Sequence, residues 1–427
     1  MFRPGGIVTT VKDTDFARNW QDIAANLLKL GATAYGGPAI MGIMQAELQE
    51  KRQWVSKDRF VEGLSLVNML PGASAAQLSM FLGYARGGWW GGLLGGLCFV
   101  LPGFFILLAL TMGYAALGVT PIMRGALYGL GPVVLGIYLV AVYRLGRAAV
   151  STFSQALVAV AAAAAVIFSP IGIAATLLLA GGTGILLFHS TKLGATVLAA
   201  LTAVLGLLYV SARSTLVPVV AAPLETPLAA SLTEASAFLL KVGTFTFGGG
   251  LTMIAFIQEQ VVTQFHWLTP QEFIDGLALG QFTPGPILMV AAYVGYKVAG
   301  LAGAGAGAAA AFLPSFVMML AVLPVLDHVR KLVWIKAAMR GIGPAVIGML
   351  GVSLVRMAPH ALPDVFAAAT LIATVIALMV WRVGTVKAML LGSLLGVLRS
   401  RLSSLRAARG VLYTFTRTLG TASGAPS

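Results

Sequence analysis

Two glycine-rich turns occupy matched positions in this chain and have the residue types of an anion site. The stretch "AYGGPAIMGI" covers residues 34–43, and "FTFGGGLTMI" covers residues 245–254. Glycine inside a helix costs about 1 kcal/mol relative to alanine, so these glycines indicate sharp turns. A half-helix that begins after such a turn directs free N–H groups and a positive dipole end at its surroundings, which favours an anion. The candidate residues in these turns are Gly36, Gly37, Pro38, Gly248, Gly249 and Gly250.

Two further apolar stretches, residues 63–84 and 276–296, are interrupted by Pro-Gly. Proline removes a backbone donor and clashes with the preceding turn, so each stretch is predicted to contain a broken helix. Backbone that is not helical survives at membrane depth only where it is buried in protein or lines a wet cavity. Small hydroxyl and amide donors surround the breaks. The resulting candidates for binding are Thr33, Asn68, Pro71, Gly72, Ser74, Thr244, Thr246, Gln281, Thr283, Pro284, Gly285 and Pro286.

Two lysines, Lys29 and Lys241, lie inside the apolar stretches that lead into the glycine turns. Charges within a membrane are costly and usually functional, so we expect both lysines to contribute positive potential to the anion site. The alternative is that each lysine lies near a membrane surface and extends its ammonium group into water. Arg144 and Arg356 end apolar segments and are interpreted as anchors at the membrane surface.

The composition places these elements in a lipid bilayer. Of the 427 residues, 58% are hydrophobic and only 10% charged, and the mean hydropathy is +0.91. Soluble domains contain about 25% charged residues, whereas about 20 apolar residues cross a bilayer as a helix. The expected fold class is therefore an all-α polytopic membrane protein with roughly 10 to 13 membrane segments. The single cysteine, Cys98, excludes an intrachain disulfide.

The chain also repeats itself after 212 residues. Arg144 falls on Arg356, and the Pro-Gly step at 71–72 falls on the step at 284–285 after a one-residue insertion. Glycines, prolines and charges do not align in order this often by chance. We therefore predict two copies of one unit, residues 1–212 and 213–427.

Matched loops of the two copies differ in their basic residues. Residues 47–62 contain four Lys or Arg and residues 259–275 contain none, whereas 118–124 contain one and 327–340 contain four. Lys and Arg mark cytoplasmic loops, so the copies are predicted to have inverted topology, as in many transporters. An odd number of crossings must then separate 47–62 from 118–124, and the interrupted stretch 63–84 is predicted to enter the membrane and return.

The C-terminal tail is strongly basic as well. By the same charge rule, we expect the tail to be cytoplasmic. Its arginines are Arg399, Arg401, Arg406, Arg409 and Arg417.

Acidic residues flank the broken segments and are candidates for coupling transport to protons. The alternative is that they are solvated loop acids. The four candidates are Glu47, Glu62, Glu259 and Asp275.

Several other functions are not expected from this sequence. The four histidines have no matched partners and no ligand spacing, so neither a metal site nor another cofactor is expected. The stretch 303–311 lacks the Lys and Ser/Thr of a phosphate-binding loop, which argues against direct use of ATP. Most basic residues lie between apolar segments, so the positive charge does not indicate nucleic-acid binding. No Ser-His-Asp or Cys-His set indicates an enzyme.

The motifs resemble those of the chromate ion transporter family in its two-domain form, over essentially the whole chain. "YGGP" at 35–38 and "FGGG" at 247–250 are similar to the family's Phe-Gly-Gly-Pro-type motif. "NMLPGA" at 68–73 and "GQFTPGP" at 280–286 are similar to its Gly-x-x-Pro-Gly-Pro-type motif. The departures are Tyr35 for phenylalanine, Gly250 for proline in the second copy, and Ala73 for the second proline of the first copy.

The resemblance implies export of chromate from the bacterial cytoplasm across the inner membrane, which would confer chromate resistance, with sulfate as the expected competitor. The residues by themselves indicate only an anion transporter. The alternatives are a sulfate or other oxyanion carrier of the same fold, a passive anion channel, and a membrane-embedded enzyme that acts on lipid. A homodimer is one assembly that the sequence allows.

Overall fold

A computed structural model describes residues 15–35, 39–117, 120–169, 171–214, 231–247, 250–325 and 332–402. These residues form an all-α bundle without strands. The helices of the first half are α1 (Phe16–Thr33), α2 (Ala39–Met44), which continues as a π-helix (Gln45–Lys51), α3 (Lys57–Met69), α4 (Ser74–Leu117), α5 (Pro121–Ala149), α6 (Phe153–Phe168), α7 (Gly172–Phe188) and α8 (Thr191–Ser214).

The second half repeats this order. Its elements are α9 (Leu232–Thr244), α10 (Thr252–Phe256) with its π-helix (Ile257–Gln264), α11 (Pro270–Phe282), a 3-10 turn (Ile287–Met289), α12 (Val290–Val322), a second 3-10 turn (Leu323–Val325), α13 (Val333–Ala361), α14 (Val365–Met379) and α15 (385–402). The predicted interruptions are confirmed, because α3 and α11 both end just before their Pro-Gly steps.

Local sequence explains where these helices begin. The Ser56 hydroxyl accepts the N–H of Arg59 at the start of α3, and Thr269 caps α11 in the same way. Thr269 also forms a capping box with Glu272, and Pro270 supplies the fixed φ of a first helical residue. Matched caps thus start the matched helices.

The long helices α4 and α12 bend at matched positions with nearly the same backbone. Gly87 and Gly88 have φ, ψ of −143°, 24° and 60°, −152°, and Ala299 and Gly300 have −141°, 28° and 62°, −147°. The second residue of each bend has a positive φ, which glycine adopts without strain. The repeat seen in the sequence is therefore a repeat of backbone conformation.

In the first half, two hairpins enter the bundle and return to the same end. Arg52 Nη1 lies 3.4 Å from Asp22 Oδ1, and Arg86 Nη2 lies 3.6 Å from Asp22 Oδ2. The start of α1, the end of the π-helix and the bend of α4 therefore meet at one end of the molecule. We call this the first-loop end, after residues 52–56. The prediction that 63–84 returns to the end from which it started is confirmed.

The second half is inverted with respect to the first. After its bend, α4 continues from residue 88 to 117 and extends about 43 Å to the opposite, far end. There the Tyr114 hydroxyl donates to Asp275 Oδ2 at 3.0 Å, which places the start of α11 at the far end. Its own hairpin closes at that end through an ion pair of 2.6 Å between Lys297 Nζ and Glu272 Oε1.

The last helices of each half pack against the other half. Helix α13 packs on α6 and α7, and α5 packs on α14 and α15. A Cβ on Gly341 would lie 2.0 Å from the Ala180 oxygen, and a Cβ on Gly396 would lie 2.1 Å from the Gly125 oxygen. Only glycine permits this approach, so the two halves interlock. The division at residue 212 remains a prediction; it falls within α8.

Helix α15 ends at the far end. The Arg399 guanidinium binds the carboxylate of Asp364, which also accepts the Tyr128 hydroxyl at 2.6 Å from the first turns of α5. The bond from Tyr128, with Ala367 N–H and Arg399, lowers the pKa of Asp364 to about 2.

Arg399 and Arg401 therefore lie at the end of the bundle opposite loop 47–62, although the charge rule assigns both regions to the cytoplasm. The charge rule considers each basic segment separately. Helix α15 has basic residues at both ends, Arg382 and Lys387 near its start and Arg399 and Arg401 near its end, and it crosses the bundle between them. The other tail arginines, Arg406, Arg409 and Arg417, lie outside the described residues.

Several helices have the length and composition to cross a membrane. The four long ones are Ser74–Leu117, Pro121–Ala149, Ile287–Val325 and Val333–Ala361. Shorter apolar helices are Phe153–Phe168, Gly172–Phe188, Thr191–Leu207 and Val365–Met379. The chain is a polytopic, all-α membrane protein.

Candidate functional site

A cavity of about 630 Å³ lies between the two halves at the first-loop end. Helices α2 and α3 and the break after α3 form one wall. The opposite wall consists of the end of α5, the start of α13, and Phe247, Pro286 and Ile287 of the second half. The described lining contains no ionisable side chain, and its polar side chains are those of Gln45, Asn68 and Ser74.

The start of α4 supplies hydrogen-bond donors to this cavity. The N–H groups of Ser74, Ala75 and Ala76 have no acceptor among the described residues, as expected for a first helical turn. Asn68 is exposed toward the cavity and makes no hydrogen bond within the described part of the chain. The Ser74 hydroxyl has only a long bond of 3.5 Å to the Val67 oxygen. These groups and the positive end of the helix dipole suit an anion.

Three of the predicted binding residues, Asn68, Ser74 and Pro286, line the cavity together. Lys29 and Lys241 do not; both are exposed on α1 and α9. The structure therefore gives no contact between these lysines and the cavity.

The glycine amides of the two breaks bond to the protein itself. Gly72 N–H donates to the Thr246 oxygen at 2.6 Å, and Gly285 N–H donates to the Ala34 oxygen at 2.9 Å. The two bonds are related by the repeat, and each links the break of one half to the residues just after the first helix of the other. The N–H groups of Gly72 and Gly285, two of the predicted binding residues, thus hold the halves together. The flanking Pro71 oxygen accepts Gln77 Nε2 at 2.6 Å, and Pro284 packs beside α4.

The four threonines predicted as donors are also engaged. Each hydroxyl donates to the carbonyl four residues earlier, a bond that Thr makes readily inside a helix. These bonds are Thr33 to Lys29 at 2.7 Å, Thr244 to Leu240 at 2.8 Å, Thr246 to Val242 at 2.6 Å, and Thr283 to Leu279 at 2.8 Å.

Most of the two glycine turns lies outside the described residues: Gly36, Gly37, Pro38, Gly248 and Gly249. Gly250 is described and has a φ of 101°. A Cβ there would lie 2.4 Å from Ile287 Cγ2, so both backbone angle and space require glycine.

Three of the four candidate coupling acids form ion pairs. Glu47 lies 3.3 Å from Lys51 Nζ and 3.4 Å from Arg52 Nε, and Glu62 lies 2.8 Å from Arg59 Nη1. Desolvation acts to raise the pKa of Glu47, but hydrogen bonds from Lys51 and Arg52 and the positive charges of Lys51 and Lys29 outweigh it and lower the pKa. The third acid, Glu259, binds the Arg356 guanidinium.

Asp275 has a different environment. Its side chain is buried, and its carboxylate accepts the Tyr114 hydroxyl at 3.0 Å and Gln271 Nε2 at 3.0 Å. The nearby Lys297 pairs with Glu272 instead. Asp275 is therefore the one candidate acid of the four that is buried among neutral donors.

The matched amide of the second half has a partner within the protein. Gln281, the counterpart of Asn68, donates to the buried Tyr138 hydroxyl at 3.2 Å. The residue matched to Tyr138 is Leu350, which cannot hydrogen-bond Asn68. The amide facing the cavity is thus free in one half and bound in the other.

Sequence reasoning missed residues that hold the site in shape. Ser315 Oγ accepts the N–H of Ala73 at 3.0 Å, across the boundary between the halves. The matched residue is Gly103, on which a Cβ would lie 2.6 Å from the Pro284 oxygen. In the sequence, these two residues could have been found because they differ from their counterparts in the other copy: Ser315 is matched to Gly103, and Tyr138 to Leu350.

Comparison with known proteins identifies the family of this chain. The sequence profile described as chromate transporter matches residues 21–186 and again 233–397. A chromate transport protein of Cupriavidus metallidurans is 32% identical over 356 residues, 82% of this chain and 85% of the relative. A probable chromate transport protein of Synechococcus elongatus is 33% identical over 82% of this chain and 87% of its own.

More distant relatives extend beyond bacteria. An uncharacterized transporter of Methanocaldococcus jannaschii is 26% identical over 79% of this chain and 84% of its own. No solved structure gives a significant match. Since the profile covers both halves and the similarity spans most of each chain, this protein belongs to the chromate transporter family.

Proposed function

We propose that this chain exports chromate across the bacterial inner membrane by alternating access and thereby confers chromate resistance. The observation that supports this most directly is the asymmetry between the halves: the cavity lies at the first-loop end and is lined by Asn68, whereas the counterpart of Asn68, Gln281, is bound to Tyr138. A doubly charged tetrahedral oxyanion would accept hydrogen bonds from Asn68, from Ser74 and from the first amides of α4.

The first-loop end is proposed to be cytoplasmic. It carries Lys51, Arg52, Lys57 and Arg59, whereas the matched far-end loop 259–275 has no Lys or Arg. The cavity would then receive its anion from the cytoplasm, as export requires. The end of α15 would lie outside, which reverses the expectation for this part of the tail.

The alternative is a sulfate or other oxyanion carrier that also takes chromate. Neutral donors and a helix dipole recognise charge and tetrahedral shape, and they do so for either central atom. The cavity favours neither substrate, and sulfate is the expected competitor.

The test is uptake of labelled chromate and labelled sulfate into inverted membrane vesicles, with membrane potential and pH gradient imposed separately. We expect saturable chromate uptake with competition by sulfate, and counter-flux from preloaded vesicles would distinguish a carrier from a channel. Asn68→Ala should raise the half-saturating chromate concentration about tenfold, because it removes a donor to a charged ligand. Its matched control, Gln281→Ala, should leave that concentration nearly unchanged. The proposed site is wrong if the two variants behave alike.

A further inference from the structure

Four charged residues form two matched sets in the repeat. Glu47 and Glu259 lie in the π-helices after α2 and α10, and Arg144 and Arg356 lie near the ends of α5 and α13. Each acid and each arginine falls on its counterpart after 212 residues. The same two chemical partners are therefore present at both ends of the bundle.

At the far end the two partners are joined. The Arg356 guanidinium binds the Glu259 carboxylate, which also accepts Gln264 Nε2 at 3.2 Å. The carboxylate side chain is 15% exposed and the guanidinium side chain 30% exposed. Helix α10 packs on α13 beside this pair. The ion pair thus lies at a contact between α10 and α13, two helices of the second half.

At the first-loop end the same partners are separated. Arg144 Nη2 donates to the Leu378 oxygen at 3.0 Å, and Glu47 is held by Lys51 and Arg52. The cavity lies between α2, whose continuation carries Glu47, and the last turns of α5 next to Arg144. Glu47 and Arg144 are therefore apart at the first-loop end, whereas their counterparts Glu259 and Arg356 form an ion pair at the far end.

We propose that Glu47–Arg144 and Glu259–Arg356 are two alternating ion-pair gates, one of which forms when the other opens. Because the halves are copies, the arrangement that one half has now is accessible to the other. Exchanging the two arrangements joins Arg144 to Glu47, closes the present cavity and opens its counterpart at the far end. This inference rests on the proposed alternating access and adds the residues that set its equilibrium.

The local charges around the two acids differ. Lys51 and Arg52 lie beside Glu47, whereas the matched positions hold the neutral residues Thr263 and Gln264. Glu47 therefore keeps cationic partners while its gate is open. Glu259 has Arg356 as its cation in the described structure, so the far gate should respond more strongly to loss of its arginine.

The test measures accessibility without substrate, so its outcome is independent of which anion is carried. Matched reporters are Gln45→Cys, which lines the cavity, and Ile257→Cys, which is fully buried, each in the Cys98→Ala background. Their maleimide labelling rates are compared in purified protein. The position 45 reporter should label fast and the position 257 reporter slowly.

Removing the arginines should shift these rates in opposite directions. Arg356→Gln should raise labelling at position 257 about tenfold, a shift of about 1.4 kcal/mol in the equilibrium, and lower labelling at position 45. Arg144→Gln should lower labelling at 257 and keep 45 accessible. Arg147→Gln, an exposed neighbour on α5, is the control and should change neither. Arg356→Lys should restore part of the closed state.

Two outcomes would overturn the gates. Labelling at position 257 that is unchanged in Arg356→Gln would show that the far pair does not hold that end closed. Faster labelling at both positions in both variants would show general loosening of the fold instead of exchange between two states. If the labelling shifts are as predicted but the protein does not transport chromate, the ion-pair gates are supported and the proposed substrate is wrong.

Discussion

Replacing Gly72 with alanine should destabilise the protein much more than the matched replacement of Gly285. Both residues have a positive φ, 119° and 96°, which costs a non-glycine residue about 1–2 kcal/mol. At Gly285 the nearest atom to an added Cβ is the Gly31 oxygen at 3.9 Å, so the backbone term is nearly the whole effect. At Gly72 the added Cβ would lie 2.2 Å from Ser315 Oγ.

The clash has a definite consequence for the hydrogen bond across the halves. Ser315 must turn away, and the buried N–H of Ala73 then loses its acceptor. An unsatisfied buried donor costs about 1–3 kcal/mol. The expected loss is therefore about 2–5 kcal/mol for Gly72→Ala and about 1–2 kcal/mol for Gly285→Ala.

A double-mutant cycle isolates this mechanism. Ser315→Ala alone removes the acceptor and should cost about 1–3 kcal/mol. The Gly72→Ala, Ser315→Ala double variant should cost clearly less than the sum, because the same bond cannot be lost twice and the hydroxyl no longer blocks the new methyl. Denaturant unfolding in detergent micelles, followed by tryptophan fluorescence, measures all three. Equal losses for the two glycine variants, or additive losses in the cycle, would refute the reasoning.

Three further outcomes are expected. Asp275→Asn should flatten the pH profile of transport, because Asp275 is buried among neutral donors, whereas Glu62→Gln, at the matched and ion-paired position, should leave the profile in place. In a cysteine-free background, Lys57→Cys and Gln271→Cys should be labelled from opposite sides of the membrane, and labelling from one side would contradict the inverted repeat. Gly37→Ala should abolish thermal stabilisation by chromate while keeping the melting temperature of the free protein, if the turn binds the anion through its backbone; a lowered melting temperature with a preserved shift indicates helix packing.

The far-end contacts of Asp275 connect the opening of that end with proton binding. Tyr114 of α4, in the first half, donates a hydrogen bond to Asp275 of the second half. This bond lies at the far end of the bundle, as the Glu259–Arg356 ion pair does. Opening the far end must either break the Tyr114–Asp275 hydrogen bond or move α4 together with α11. A carboxylate that is buried in one state and hydrated in the other is suited to bind a proton in a state-dependent way.

Sequence alone determined the properties that depend on composition and on order along the chain. Apolar length fixes the membrane class, and the Pro-Gly steps fix the helix breaks, because a missing N–H acts locally wherever the chain goes. The repeat and the inversion followed from matched residues and from loop charges. The broken helices pointed to segments that line the cavity, and Asn68, Ser74 and Pro286 were among the residues named.

Only the tertiary structure decided which of those groups are free. The amides of Gly72 and Gly285 bond to carbonyls of the other half, the four threonines bond to carbonyls four residues earlier, and Lys29 and Lys241 do not line the cavity. A donor's partner is set by packing between residues far apart in the chain, which no local pattern contains. Two similar copies can also pack differently. Asn68 faces a cavity and its counterpart Gln281 is bound to Tyr138, and this difference arises only when both halves are folded together.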